Sequence, residues 1–210
     1  MRFTIKGLRD ALWAAMLLLA ASAAPAVAQV GTEMAFIEIV EGATSIPVGH
    51  AEFCKTHANE CRPNGSLVGA VTLTQALWQQ LLLVNASVNA AVAPVTDAQL
   101  YQTDEYWTYP NGYGDCEDFA LLKRRELINA GWPGSALLMS VVKQADGEGH
   151  AVLLVRTDRG DFVLDNQVGS VDLWSDTPYK FVKRQSQADA GKWVDMIDNR
   201  DIVTATASIR

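Results

Sequence analysis

Hydrophobic and polar positions fall into three successive regimes along the chain. In the first, Leu73, Leu77, Leu81, Leu82, Val84, Val88 and Val92 recur at helical spacing, and Pro94 closes the run. This predicts a helix over Leu73–Val92. Asn85 and Asn89 lie one turn apart on it, as buried polar anchors or as solvated positions. A second helix is predicted from Cys116 to Ala130. Asp115 is placed to cap it, Glu117 and Asp118 lie in a first turn that favours acids, and Gly131-Trp132-Pro133 stops it. Beyond that point the pattern becomes strand-like: Ala136–Val142, His150–Arg156, Asp161–Leu164, Val171–Trp174 and Tyr179–Gln185. Helices followed by a run of antiparallel strands make an α+β fold, with the helices packed on the sheet. Gln29–Val48 reads as extended or irregular, Phe53–Gly65 as a polar loop, and Asp97–Trp107 as a polar-aromatic connector. Tyr101, Tyr106, Trp107, Tyr109 and Tyr113 read as a packed aromatic loop, some of them walling a cleft. Residues 186–210 carry no clear pattern, although Trp193 and Met196 can pack.

The N-terminus stands apart from this domain. Arg2, Lys6 and Arg9 form a positive segment, Ala11–Ala21 is a short apolar run, and Ala26-Val27-Ala28 is a small-x-small cleavage signal. About 20 apolar residues are needed to span a bilayer, and this run is shorter. Residues 1–28 therefore read as a signal peptide, with an uncleaved N-terminal anchor as the alternative, and 29–210 as one domain, periplasmic or secreted, with no transmembrane segment after removal. Cleavage leaves 14 basic and 23 acidic residues, moving the net charge from −7 to about −9. An acidic domain without basic runs is not a nucleic-acid binder.

Export changes how the three cysteines are read. Cys54 and Cys61 lie seven apart, and an oxidising compartment favours a disulfide between them. The competing reading, metal binding by this pair with His57, lacks a fourth ligand. Cys116 is then the odd thiol, and it sits among Asp115, Glu117 and Asp118. A helix start favours a thiolate, whereas three carboxylates oppose it. A bound divalent cation would resolve that conflict.

A nucleophilic cysteine needs a base, and the base an orienting partner. His150 opens a strand after the flexible Lys143–Gly149 loop. If the hairpin loop is the four residues Thr157–Gly160, Arg156 pairs with Asp161 and His150 falls opposite Gln167. Asp165 is then a diagonal neighbour on the same face, about 7–8 Å away. A three-residue loop would put the two on opposite faces. Asn166 and Gln167 are alternative orienters, and Asp172 is a weaker one.

Gly114-Asp115-Cys116-Glu117-Asp118-Phe119-Ala120, Lys123-Arg124, Gly149-His150-Ala151-Val152-Leu153 and Val163-Leu164-Asp165-Asn166 together resemble the bacterial transglutaminase-like cysteine proteinases, whose best-known members are the LapG-type periplasmic proteases. The similarity spans Leu73–Lys183. It implies a papain-like, transglutaminase-like fold with Cys116, His150 and Asp165 as the triad. It also implies calcium held by acids at Asp115, Glu117 and Asp118. By the same resemblance, the partners would be a protein substrate such as a large biofilm adhesin, and an inner-membrane cyclic di-GMP receptor. The residues leave room for a transglutaminase proper, for a non-enzymatic calcium-binding envelope module, and for a peptidoglycan amidase.

Overall fold

The helical stripe and the strands meet as the periodicity requires. A computed structural model describes residues 35–201, so the expected signal peptide and its cleavage point lie outside the described residues. In chain order the elements are β1 (Glu38–Ile39), α1 (Val48–Thr56), a 3-10 turn (Ala58–Cys61), α2 (Gln75–Ala91), β2 (Ala93–Pro94), α3 (Asp97–Leu100), β3 (Tyr113–Gly114), α4 (Cys116–Asn129), β4 (Leu137–Lys143), β5 (Gly149–Thr157), β6 (Gly160–Leu164), β7 (Asp172–Leu173), β8 (Lys180–Gln185) and β9 (Trp193–Ile197). Seven strands form one antiparallel sheet in the order β1-β9-β8-β4-β5-β6-β7. Apart from the edge strand β1, the sheet follows the helices in the chain, and they pack against it, as the α+β reading expects.

Alternation along the strands builds two cores. Leu137, Met139, Leu153 and Val155 face the helices and pack with Leu81, Leu121 and Leu127. Leu138, Val152, Leu154 and Val163 face the other way, against Ile37, Trp174, Tyr179 and Phe181. Each fully buried aliphatic side chain contributes roughly 1.5–3 kcal/mol, so a one-residue slip in any central strand, which exchanges its two faces, is strongly penalised. On α2, Thr74 caps the first turn by accepting the Leu77 N–H at 3.2 Å. Its buried stripe is Leu81, Asn85 and Val88, which puts an asparagine inside. α4 buries eight of its fourteen residues, and Glu117, Asp118, Lys123 and Arg124 are among them.

The β5–β6 turn is tighter than the expected four residues. Thr157 pairs with Gly160, leaving Asp158-Arg159 as the loop. Both loop lengths have the same parity, so Arg156 still pairs with Asp161 and the required register is kept. Gly160 has φ +124, and a Cβ there would stand 2.5 Å from the Ala35 carbonyl oxygen.

Two stretches differ from expectation. Phe53–Gly65 is not a simple loop: α1 runs through Cys54 to Thr56 because its short buried face, Gly49, His50 and Phe53, finds an aromatic wall. His50 accepts the Trp193 indole N–H at 3.1 Å, and Trp107 lies so close to Gly49 that any Cβ would collide with it. Cys54 and Cys61 are joined in a disulfide, Cα–Cα 5.6 Å. His57 stacks on Phe53 instead of approaching the sulfurs, with ring centroids 4.3 Å apart. His50 is the imidazole beside them, at 3.7–3.8 Å. The unpatterned C-terminal stretch contains β9, where the fully buried Trp193 anchors a strand that sequence alternation does not announce.

Candidate active site

Cys116 is the first residue of α4, and β5 runs beside it. Its half-buried sulfur accepts the Ala151 N–H at 3.3 Å, and the thiol donates to Glu117 Oε2 at 3.2 Å. His150, the residue before Ala151, lines the same cleft of about 460 Å³, together with Pro47, Trp107, Val141 and Gly149. A second depression, with Thr96, Asn166 and Gln167 in its wall, meets the first at Cys116, Gly149 and His150.

On its far side the imidazole is tightly held. His150 Nε2 lies 2.9 Å from Asp165 Oδ1. Asp165 also receives the Gln167 N–H at 3.0 Å and the Tyr179 hydroxyl on Oδ2. Burial pushes the Asp165 carboxyl up, but the bonds from His150, Gln167 and Tyr179 outweigh it and hold the group below the usual carboxylate range. An ionised Asp165 needs a proton on Nε2, so Nδ1 is the basic nitrogen. The Gln167 side-chain amide approaches that nitrogen at 3.5 Å. Thus Gln167 complements Asp165 and does not replace it. Asp172 takes a hydrogen bond from Ser170 at 2.6 Å on β7, apart from this chain of contacts.

The segment carrying Asp165 is pinned from behind by α2. Asn89 Nδ2 donates to the Asp165 carbonyl at 2.9 Å, and Asn85 Nδ2 reaches the carbonyls of Val168, Gly169 and Ser170 at 3.2–3.3 Å. Of the two readings left open for these asparagines, the anchor is the observed one, buried at Asn85 and half-buried at Asn89.

The acids form a second constellation around the nucleophile. Ligand oxygens of Asp97, Asp115 and Glu117 lie within 4.8 Å of one another. Asp115 occupies the N-cap position of α4 but makes no capping bond; its Oδ2 accepts the Asp97 N–H at 3.1 Å. Asp118 stands beside the trio, taking the Thr108 N–H on Oδ1 at 2.8 Å. Asp97 Oδ1, Asp115 Oδ1 and Asp118 Oδ2 are buried with no partner among the described residues. Burial, with Asp115's charge adding to it, pushes Glu117 up to about 9. Burial pushes Asp118 up to about 8 and Asp97 up to about 6, each partly offset by a backbone N–H. The Cys116 thiol is raised by burial and then by Glu117's charge. Buried carboxylate oxygens without donors call for a hard cation, and calcium takes six to eight such ligands. The trio, with neighbouring backbone carbonyls and water, fits that requirement.

Asp97 is the member that sequence reading missed. It enters because β2 and β3 pair in parallel over two residues, Ala93 with Tyr113 and Pro94 with Gly114. That pairing sets the start of α3 against the start of α4. The local signal at Asp97, a Thr96–Gln99 capping box, reads only as a helix start.

No curated protein matches the chain significantly. Three solved structures of Legionella pneumophila LapG resemble it. The calcium-bound form is 29% identical over 50% of this chain and 63% of its own, with a TM-score of 0.46. A second structure is 29% identical over 55% and 67%, TM-score 0.48, and an EGTA-treated form is 26% identical over 60% and 74%, TM-score 0.47. The chain therefore spans just under two thirds of the calcium-bound protein. The family model of the bacterial transglutaminase-like cysteine proteinases matches residues 40–201, and the chain belongs to that family of cysteine peptidases.

Proposed function

We propose that this protein is an exported, calcium-dependent cysteine endopeptidase with Cys116 as nucleophile, His150 as general base and acid, and Asp165 as orienter. One observation carries the reading. The bond from Asp165 to His150 Nε2 leaves Nδ1 basic in the cleft that Cys116 also lines.

The reaction follows from these positions. A peptide lies along the cleft across Gly149, and His150 Nδ1 takes the proton of Cys116. The thiolate, with the Ala151 N–H on it, attacks the scissile carbonyl carbon and forms the C–S bond. The developing oxyanion is met by the free backbone N–H groups at the start of α4, Cys116's own being the nearest in sequence. The C–N bond breaks as His150 returns its proton to the leaving amine. His150 then deprotonates a water that hydrolyses the thioester and regenerates the thiol. Asp165 and Tyr179 hold the imidazole plane through these transfers. Asp97, Asp115 and Glu117 would hold a calcium ion, whose positive charge beside the nucleophile would offset the acids that otherwise raise the thiol pKa. Asp118, although outside the trio, remains available through its unpartnered Oδ2.

The same reading extends to the setting. The leader-like segment, the disulfide and the family support action outside the cytoplasm on a protein of the cell surface, such as a large adhesin, under a membrane receptor that reads cyclic di-GMP. Among the described residues no helix is long and apolar enough to cross a membrane. The test is cleavage of a candidate surface-protein fragment with calcium, with chelator, and by Cys116→Ala. Cleavage with calcium alone supports the reading, and cleavage surviving Cys116→Ala refutes it. A labelled amine joined to the substrate in place of hydrolysis would assign a transglutaminase.

A further inference from the structure

A second polar constellation lies at the other end of β5. Arg156 is six residues along that strand from His150, roughly 20 Å at strand rise. It lines a pocket of about 550 Å³ with Phe36, Ile37, Ile39, Arg184 and Gln187. The 36–39 segment reaches the site because the Ala35 carbonyl accepts the Asp161 N–H at 2.8 Å and the Ile37 N–H donates to Asp161 Oδ2 at 3.0 Å.

The buried charges of this pocket do not balance. Arg184 is 1% exposed, its Nη1 donates to the Gln185 carbonyl at 2.9 Å, and its Nε has no partner among the described residues. Arg156 lies over the Phe36 ring at 5.3 Å and reaches Gln187 at 3.3 Å. Asp161 is the buried carboxylate near both, 3.7 Å from Arg156 Nε, with its Oδ1 otherwise unpartnered among the described residues. Burial and the Arg156 charge together depress the Arg184 pKa to about 10. In the buried part of the site two guanidinium groups face one carboxylate, while the second carboxylate, Glu38, is exposed at the edge. Burying a donor fork without an acceptor is costly, and a planar carboxylate matches that fork with two parallel hydrogen bonds. Phe36, Ile37 and Ile39 give the rest of the pocket an apolar wall, while Glu38 at its edge disfavours a second negative charge.

We propose that the space between Arg156 and Arg184 binds a small monocarboxylate with an apolar body, at a site separate from the catalytic cleft. Phenylacetate is the probe, with phenylacetamide and inorganic phosphate as comparisons. Binding is followed through the arginine Nε–Hε resonances of the full protein and through its melting temperature at constant ionic strength. Phenylacetate is expected to move the Arg156 and Arg184 resonances saturably and to raise the melting temperature. Phenylacetamide leaves both unchanged, and phosphate binds more weakly. Arg156→Gln is the test variant because Arg156 is partly exposed, and it weakens binding by about tenfold or more, the loss expected for a charged hydrogen bond. Arg156→Lys, which keeps the charge and loses the fork, falls between. Circular dichroism verifies that both variants fold. Absence of a saturable shift, equal shifts with the amide, or undiminished binding by Arg156→Gln overturns the site. Phosphate binding as tightly as phenylacetate overturns the apolar-body assignment.

Discussion

Replacing Asp97 by asparagine removes one carboxylate charge from the acid trio and keeps the side-chain oxygen that accepts the Tyr106 N–H. The consequence has opposite signs with and without calcium. At a calcium concentration of 100 times Kd, a site present only in the folded state adds about 2.7 kcal/mol. Outer-shell partners of metal ligands are worth about 10–100-fold in affinity, so losing a direct ligand is taken at the upper figure, about 100-fold. At the same calcium concentration the gain falls to about 0.4 kcal/mol. A protein of this size shifts roughly 2–4 °C per kcal/mol, so a calcium-induced rise of about 5–11 °C shrinks to about 1–2 °C. Without calcium the substitution relieves repulsion. Two charges at 4.8 Å cost about 3.5 kcal/mol at an effective dielectric constant of 20, and part of that is removed. The chelated variant is therefore expected to melt at or above the chelated parent. Scanning calorimetry at pH 7.5, with calcium and with EGTA, checks both halves. An unchanged calcium-induced shift in Asp97→Asn refutes the placement of the ion.

Three further outcomes are expected. The raised pKa values of Asp97, Glu117 and Asp118 mean that the calcium-free folded state keeps protons which the unfolded chain releases near pH 4. Its stability then falls as pH rises from about 4 towards 9, and the calcium-induced melting shift is larger at pH 8 than at pH 5, as thermal scans in matched buffers check. Asn89→Ala removes the bond to the Asp165 carbonyl and is expected to lower kcat about tenfold with KM little changed, whereas a purely structural role would lower the melting temperature and leave kcat intact. Cys54→Ser with Cys61→Ser opens a short loop closed over a sequence separation of seven and costs about 2.5 kcal/mol, read as a denaturation midpoint that no longer responds to reductant.

The legible parts of this protein were those fixed by local period. α2, α4 and the central strands follow from apolar spacing, with ends displaced by a residue or two. The β5–β6 hairpin matters most, because its parity places Asp165 on the His150 face; its turn is two residues shorter than the spacing suggests, which leaves that parity intact. The parts that escaped are held by distant partners. α1 has only three buried positions, and its aromatic wall comes from residues as far away as Trp193. Asp97 joins Asp115 through a two-residue parallel pairing, too short to leave a periodic trace. Asn85 and Asn89 showed their common helix face, but nothing in the sequence said that the 165–170 segment would cover it.

The two-residue turn Asp158-Arg159 also bears on how relatives of this protein can diverge. It lies on the surface, where insertions are ordinarily tolerated. Here a single inserted or deleted residue that shifted the pairing would exchange the faces of β6 and carry Asp165 away from His150. Two residues together would restore the face while displacing the carboxylate along the strand. Active homologues should therefore vary freely in the side chains of this turn and rarely in its length, and a length change should come with a compensating bulge in β5 or β6.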